Sequence, residues 1–116
     1  MRARRDCWTG GIDVIVVGAE DAPRVDNPHG VDVRKLMDEK SAQIFHITLK
    51  PGESLERHTT PVDAFLYVLK GRGSVEVGDE RAEVKKGTAV YLPKEVPHAV
   101  SNEGSLSMIF LVIKVM

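Results

Sequence analysis

Short apolar segments separated by turn residues recur about every ten residues along this chain, which leaves little room for helices. VDVRKLM at 31–37 alternates apolar with charged residues, and AQIFHITLK at 42–50 continues a similar alternation. SVEVGDERAEV at 74–84 predicts a hairpin with Gly-Asp at its turn. Alternation with a period of two is typical of strands, and no amphipathic helical stretch exceeds two turns. The sequence therefore predicts an all-β sandwich or barrel.

The length of 116 residues fits one domain, which we assign to residues 1–116. Residues 1–11 are expected to form a loose N-terminus, and β-branched residues predict a first strand at 12–18. Two prolines, an asparagine and a glycine predict a loop at 20–30.

Two segments, AFLYVL at 64–69 and LSMIFLVIKVM at 106–116, are apolar on both faces. A strand of this kind needs cover on both sides. A second layer of this chain, or another subunit, must supply the second cover. Because little helix is available, we expect a homodimer.

Two turn-and-strand segments each carry one histidine in their polar part. The segment at 51–73 brings His58 out of a Pro-Gly turn, and the segment at 87–102 brings His98 out of a proline-containing turn. We expect these two imidazoles to converge inside a single closed β shell.

The first segment resembles the first motif of the cupin superfamily. That motif runs Gly, five residues, His-x-His, three or four residues, Glu, six residues, Gly. Gly52, His58 and Gly71 match it. Thr60 stands at the second histidine position, and Ala64 stands at the glutamate position.

The second segment resembles the second cupin motif, which runs Gly, five residues, Pro-x-Gly, two residues, His, three residues, Asn. Gly87, Pro93, His98 and Asn102 match it, with Glu95 in place of the middle glycine. The resemblance covers about residues 42–113.

The resemblance implies a small single-domain cupin of the cupin 2 type, with a double-stranded β-helix (jelly-roll) barrel. Typical members hold a divalent metal in the barrel with three histidines and one glutamate. In this chain the implied metal ligands are His58 and His98, and the other two positions have changed. A divalent transition metal of unknown identity and a metal-free site are both open.

Asp63 and His46 are the candidates to complete a metal site. Asp63 precedes the changed glutamate position by one residue, and a bulge near Pro61 would turn it inward. The alternative for Asp63 is a turn residue that accepts hydrogen bonds from backbone N–H groups. His46 shares its strand face with Thr48, and its simplest interpretation is a partly exposed strand histidine.

The predicted ligand-binding residues are Thr60, Asp63 and Tyr91. Tyr91 is expected at the pocket wall, where its hydroxyl could orient a ligand, and the alternative is a strand aromatic with its hydroxyl at the rim. His29 lies in the loop with prolines and glycine, and we expect it to be structural or solvent-exposed. Catalytic residues are not assigned.

Charge and cysteine content limit the classes of binding partner and the compartment expected for this chain. Sixteen basic and seventeen acidic residues give a net charge of -1, so no basic excess points to nucleic acid or a membrane surface. Cys7 is the single cysteine, which excludes an internal disulfide and suits a reducing compartment. The first residues lack the pattern of a signal peptide, and we expect a cytoplasmic protein.

Three functions remain open from the sequence. The first is a small barrel that binds a small molecule, with or without a divalent metal. The second is a metal-dependent enzyme, an oxygenase or isomerase acting on a small organic acid or sugar. The third is a structural or assembly module with a vestigial histidine pair.

Overall fold

A computed structural model describes residues 14–116 as two packed antiparallel sheets. The predicted all-β jelly-roll architecture is confirmed. One sheet has the strand order β1-β2-β9-β4-β7 and the other β3-β8-β5-β6. The strands are β1 Asp32–Asp38, β2 Ala42–Leu49, β3 Ser54–His58, β4 Ala64–Lys70, β5 Arg72–Val77, β6 Glu80–Lys85, β7 Ala89–Leu92, β8 His98–Ser101 and β9 Met108–Val115.

Alternating side chains decide which face of each strand enters the core. On β2 the inward face carries Ile47 and Leu49, which are buried, and the neighbouring β9 sends Met108, Phe110 and Val112 inward. Burial of a large apolar side chain of this kind stabilises the fold by about 1.5–3 kcal/mol. The period-two pattern of the sequence therefore places the apolar side chains of each strand in the core between the two sheets.

The predicted hairpin is confirmed as β5 and β6, joined through Gly78 and Asp79. Gly78 has a φ of 60°, which glycine adopts without steric cost. The predicted strands at 31–37 and 42–50 correspond to β1 and β2.

The predicted strand at 12–18 is wrong over the residues that can be compared. Residues 14–18 form no strand, and Val14 and Val16 are 71% and 62% exposed. β-branched residues favour an extended backbone, but a strand also needs a neighbour to pair with. The predicted loose segment 1–11, with Cys7, lies outside the described residues. Between residues 14 and 116 the structure has no helix that could span a membrane.

Asn102 holds one end of the barrel together. Its side-chain amide donates to the carbonyl oxygens of Leu49 and Leu106 at 2.9 and 2.8 Å, and its Oδ1 accepts from the Gly104 N–H at 3.0 Å. Its backbone N–H donates to Glu53 O, and its carbonyl accepts from the Gly52 N–H. These bonds fix strand β8, which begins at His98 and ends just before Asn102.

Candidate functional site

Strands β3 and β8 bring the two motif histidines together. His58 and His98 are direct partners in the antiparallel register, and their ring centroids lie 4.5 Å apart in an edge-to-face arrangement. The expected convergence of these imidazoles is confirmed. His98 is buried at 4% exposure, and His58 is half-buried.

A β-bulge aims His58 at this position. Counting by twos from the buried Leu55 would send Arg57 inward and His58 outward. The β3–β8 register shifts between Leu55 and His58, so His58 turns inward and Arg57 stays exposed. The sequence left open a bulge near Pro61 that would turn Asp63 inward, whereas the observed bulge lies earlier and serves His58.

A third imidazole, that of His29, joins the pair from the loop before β1. Its ring centroid is 5.0 Å from that of His58, and its Nδ1 accepts a hydrogen bond from the Glu56 N–H at 3.0 Å. The expectation that His29 is merely structural or exposed missed its place beside the pair. No local motif marks His29, because its position depends on loop packing against β3.

The three histidines line one cavity of about 370 Å³. Its volume falls within the range of small-molecule sites. Its walls are mainly apolar, with Phe45, Ile47 and Val112 among them. The polar lining residues are Asn27, His29, His58, Thr59, Thr60, His98 and Lys114.

Two other depressions have similar volumes, about 390 Å³ each. One lies beside Ala22 and Leu36, and the other beside Arg72 and Leu106. Neither contains a histidine. The convergence of imidazoles on an apolar cavity is the stronger chemical indication of a site, and we assign the candidate site there.

The two changed motif positions both lie at this cavity. Thr60 is buried, and its hydroxyl donates to the Val62 carbonyl at 3.0 Å. Ala64 is 1% exposed and leaves room where the resemblance places a carboxylate. Its direct register partner on β9 is Lys114, which also lines the cavity.

Asp63 and Tyr91 lie outside the cavity, which corrects the expectation that they share its wall. Asp63 Oδ1 accepts from the Tyr91 hydroxyl at 3.1 Å and from the Lys94 N–H at 2.9 Å. This matches the alternative interpretation of Asp63 as a turn residue. Tyr91 is 52% exposed and stacks on Phe65 with centroids 5.4 Å apart. The hydrogen bond to Asp63 raises the pKa of Tyr91, and desolvation raises it further.

His46 lies on the face of β2 opposite to that of the inward Phe45 and Ile47. It is half-buried and pairs in register with Arg34 on β1 and Leu111 on β9. This is the simpler interpretation of His46, as a strand histidine away from the other imidazoles.

The cavity favours uncharged imidazoles. Burial lowers the pKa of His98 from its usual value, and positive charge on His58 lowers it further. Burial and His58 act on the pKa of His29 in the same direction, against a smaller opposing effect of Glu56. At neutral pH both rings are therefore held in the neutral form.

The donor set does not fit the metal site that the resemblance implies. Within residues 14–116, no group of three or more His, Cys, Asp or Glu side chains is arranged to hold a metal ion. The ring Nδ1 atoms of His58 and His98 approach the carbonyls of Glu56 and Val96. A divalent metal and a metal-free site both stay open, as they were from the sequence, and we derive no function through a metal.

Glu95 carries backbone strain in the turn that leads to His98. Its φ is 64°, in the left-handed region that a side chain disfavours. It stands where the second motif has its middle glycine. Its N–H donates to Thr60 O at 2.8 Å, so this turn links the two motifs across the cavity.

Comparison with known proteins agrees with this architecture. A family model described as Cupin domain matches residues 45–114. An uncharacterized protein of Methanocaldococcus jannaschii is 31% identical over 83 residues, which cover 71% of this chain and 72% of that protein. The crystal structure of an RmlC-like cupin with a double-stranded β-helix fold from that organism has a TM-score of 0.69 at 27% identity, over 81% of this chain and 87% of the other.

Two other relatives align with this chain over a smaller part of their length. The tetracenomycin polyketide synthase protein TcmJ of Streptomyces glaucescens is 32% identical over 62 residues, which cover 53% of this chain and 42% of TcmJ. The match to a second uncharacterized Methanocaldococcus jannaschii protein, 37% identical over 47% of this chain, also covers 42% of that relative. The chain thus aligns with less than half the length of these two relatives.

Proposed function

The chain belongs to the cupin family, and from this membership we propose that it binds a small organic molecule in the cavity that holds His58 and His98. One observation carries the proposal: three imidazoles meet in an apolar cavity of about 370 Å³. Apolar walls supply affinity by burying ligand surface, and a few fixed polar groups supply orientation. This combination supports binding without requiring a metal.

A thermal-shift screen of metabolites tests the proposal. A ligand at about 100 times its Kd stabilises the folded state by about 2.7 kcal/mol, which raises the Tm by several degrees. We expect such a shift in the unsubstituted protein and its loss in His58→Ala and His98→Ala. His46→Ala is the matched control, because His46 is a histidine outside the cavity, and it should keep the shift. A shift that survives both cavity substitutions would contradict the proposal.

Elemental analysis separates this function from the metal-dependent oxygenase or isomerase. About one metal ion per chain, lost in both His58→Ala and His98→Ala, would favour the enzyme. If the protein shows neither bound metal nor a ligand-dependent shift in Tm, the structural or assembly role is favoured.

We also propose that a second copy of the chain covers the outer face of the five-stranded sheet. Phe65, Tyr67, Leu69 and Tyr91 are 37–52% exposed on this face. Beside Tyr67 and Phe65, strand β9 presents Leu111 and Ile113, which carry no charge, so two copies could meet there without repulsion between like charges. Light scattering tests the pairing: we expect a dimer at micromolar concentration and a monomer for Phe65→Glu. A monomeric unsubstituted protein would overturn the dimer.

A further inference from the structure

The candidate cavity is lined without a carboxylate. None of its lining residues among 14–116 is Asp or Glu, whereas three are histidines and one is Lys114. Lys114 on β9 lies directly opposite Ala64 on β4, at the position where the first motif has its glutamate. Because this chain has alanine where the motif has glutamate, the cavity wall lacks that negative charge but still contains the ammonium group of Lys114.

The charge of Lys114 is poorly balanced. Among residues 14–116 no carboxylate lies within ion-pair distance of it. Its Nζ instead lies 4.9 Å from the centroid of the Phe45 ring. Burial lowers the pKa of Lys114, and the charge of Lys35 lowers it further. Since a partly buried, unpaired charge is costly, an anionic ligand would supply the missing partner.

The imidazoles divide into one donor and two acceptors. His58 Nδ1 lies 2.7 Å from Glu56 O, and His98 Nδ1 lies 3.3 Å from Val96 O. A carbonyl oxygen accepts and never donates, so each Nδ1 carries a proton, and Nε2 is the ring atom that can accept from a ligand. His29 is the reverse case, because its Nδ1 accepts from the Glu56 N–H. Its proton therefore lies on Nε2, which is a donor.

We propose that the ligand of this cavity is a small hydroxycarboxylic acid bound as its anion. The carboxylate accepts from Lys114 Nζ and His29 Nε2, and the hydroxyl donates to Nε2 of His58 or His98. The apolar part of the ligand packs against the wall that includes Phe45. This inference rests on the proposed function and deepens it, because it names the chemical class of the ligand.

Three probes of nearly equal size test the class on the full chain after metal removal. Mandelate carries both groups, mandelamide has no charge, and phenylacetate has no hydroxyl. We expect titration calorimetry to give mandelate a Kd lower by about tenfold or more than either other probe. This comparison uses the unsubstituted protein and does not depend on the folding of a variant.

Lys114→Met tests whether the ammonium group of Lys114 binds the carboxylate of the ligand. Methionine keeps much of the length of lysine and removes the ammonium. We expect mandelate to bind about tenfold more weakly to this variant, with no change for mandelamide. Lys70→Met is the matched control, since Lys70 is exposed at the opposite end of β4 from Ala64, and it should change neither affinity.

The outcomes separate this inference from the proposed function. Equal affinity for mandelate and mandelamide, or unchanged mandelate binding in Lys114→Met, overturns the anionic class. A second outcome is that neutral molecules bind in a way that depends on His98, while neither carboxylate probe binds at about 10 mM. This outcome also overturns the anionic class but leaves the proposed function standing. No binding of any probe or metabolite overturns both.

Discussion

The two ends of strand β8 carry buried polar side chains of opposite character. Asn102, which follows the strand, is 1% exposed and has all its amide hydrogen-bonding atoms in bonds to the backbone. His98, which begins the strand, is 4% exposed, and only its Nδ1 has a protein partner among residues 14–116. His98 lines the cavity, and its Nε2 is the ring nitrogen left for a ligand there.

Buried polar side chains with a structural role can thus be told apart from those available to a ligand, even within one motif. A buried polar group with every partner inside the protein stabilises the fold. A buried polar group that keeps one atom free at a cavity is available to a ligand. We therefore expect substitutions at the Asn102 end to change stability and those at the His98 end to change mainly binding.

The largest expected effect is that of Asn102→Ala. The substitution leaves the Leu49 carbonyl without its partner in a buried region, and the partly buried Leu106 carbonyl and Gly104 N–H also lose theirs. A buried unsatisfied group costs about 1–3 kcal/mol and a partly solvated one costs less, so we expect a loss of about 3 kcal/mol in the free energy of unfolding, measured in urea.

His98→Ala is the matched variant at the other end of the strand. We expect a smaller loss of stability from it, together with the loss of ligand binding. If His98→Ala destabilises the protein more than Asn102→Ala, the distinction between the two ends is wrong.

Gly73→Ala tests how tightly the backbone is packed at the Asn102 end. A Cβ on Gly73 would lie 2.5 Å from the Ser101 carbonyl oxygen and 2.6 Å from Met108 Sδ. Overpacking of this kind costs about 1–3 kcal/mol, and we expect about 2 kcal/mol by urea unfolding with no change in ligand affinity. Gly18→Ala is the control, because neither glycine has a left-handed φ and the Cβ added at Gly18 meets no atom nearer than the Asp21 Oδ2 at 3.6 Å. A loss for Gly73→Ala no larger than that for Gly18→Ala would show that this end can relax.

Much of the Asn102 end could be predicted from the sequence. The alternating pattern gave β2 and the hairpin, and the spacing of the second motif identified both His98 and Asn102. These features are local, since strand period and turn chemistry depend on residues close in the chain.

The cavity end was harder to predict because its geometry depends on contacts between distant segments. His29 reaches His58 by packing of a loop 29 residues away in sequence, and no motif marks it. The bulge that turns His58 inward shifts the register by one residue, which reverses which side chains face the core. Asp63 was a candidate because a bulge near Pro61 could turn it inward, and Tyr91 because its hydroxyl could orient a ligand, but both lie outside the cavity.

Glu95→Gly is expected to increase stability at the His98 end. A side chain in the left-handed region costs about 1–2 kcal/mol, of which the greater freedom of glycine in the unfolded state cancels about 0.5–1 kcal/mol. We expect a net gain of about 0.5–1 kcal/mol in the free energy of unfolding. Glu95→Ala removes the same carboxylate and keeps the strain, so it should show no such gain. Equal gains in the two variants would assign the effect to the carboxylate instead of the backbone.

The smallest expected effect is a pH dependence that arises at the cavity end alone. The pKa of His98 and that of His29 are lowered in the folded state, chiefly by burial and then by positive charge on His58. Below the usual histidine pKa of about 6.5 the unfolded chain binds more protons at these sites than the folded chain does. Stability should therefore be constant above that pH with respect to these groups and fall as the pH decreases through it.

Urea unfolding between about pH 7.5 and 5 measures this slope, and His98→Gln should reduce it because the neutral amide does not titrate. His46→Gln, at a histidine outside the cavity, is the reference against which the reduction by His98→Gln is measured. Glu56 lies near His29 and opposes the effect there, so the change should be larger for His98→Gln than for His29→Gln. A slope that persists in both His98→Gln and His29→Gln would mean that carboxylates elsewhere control the response to acid. His98 would then affect ligand binding but not the pH dependence of the free energy of unfolding.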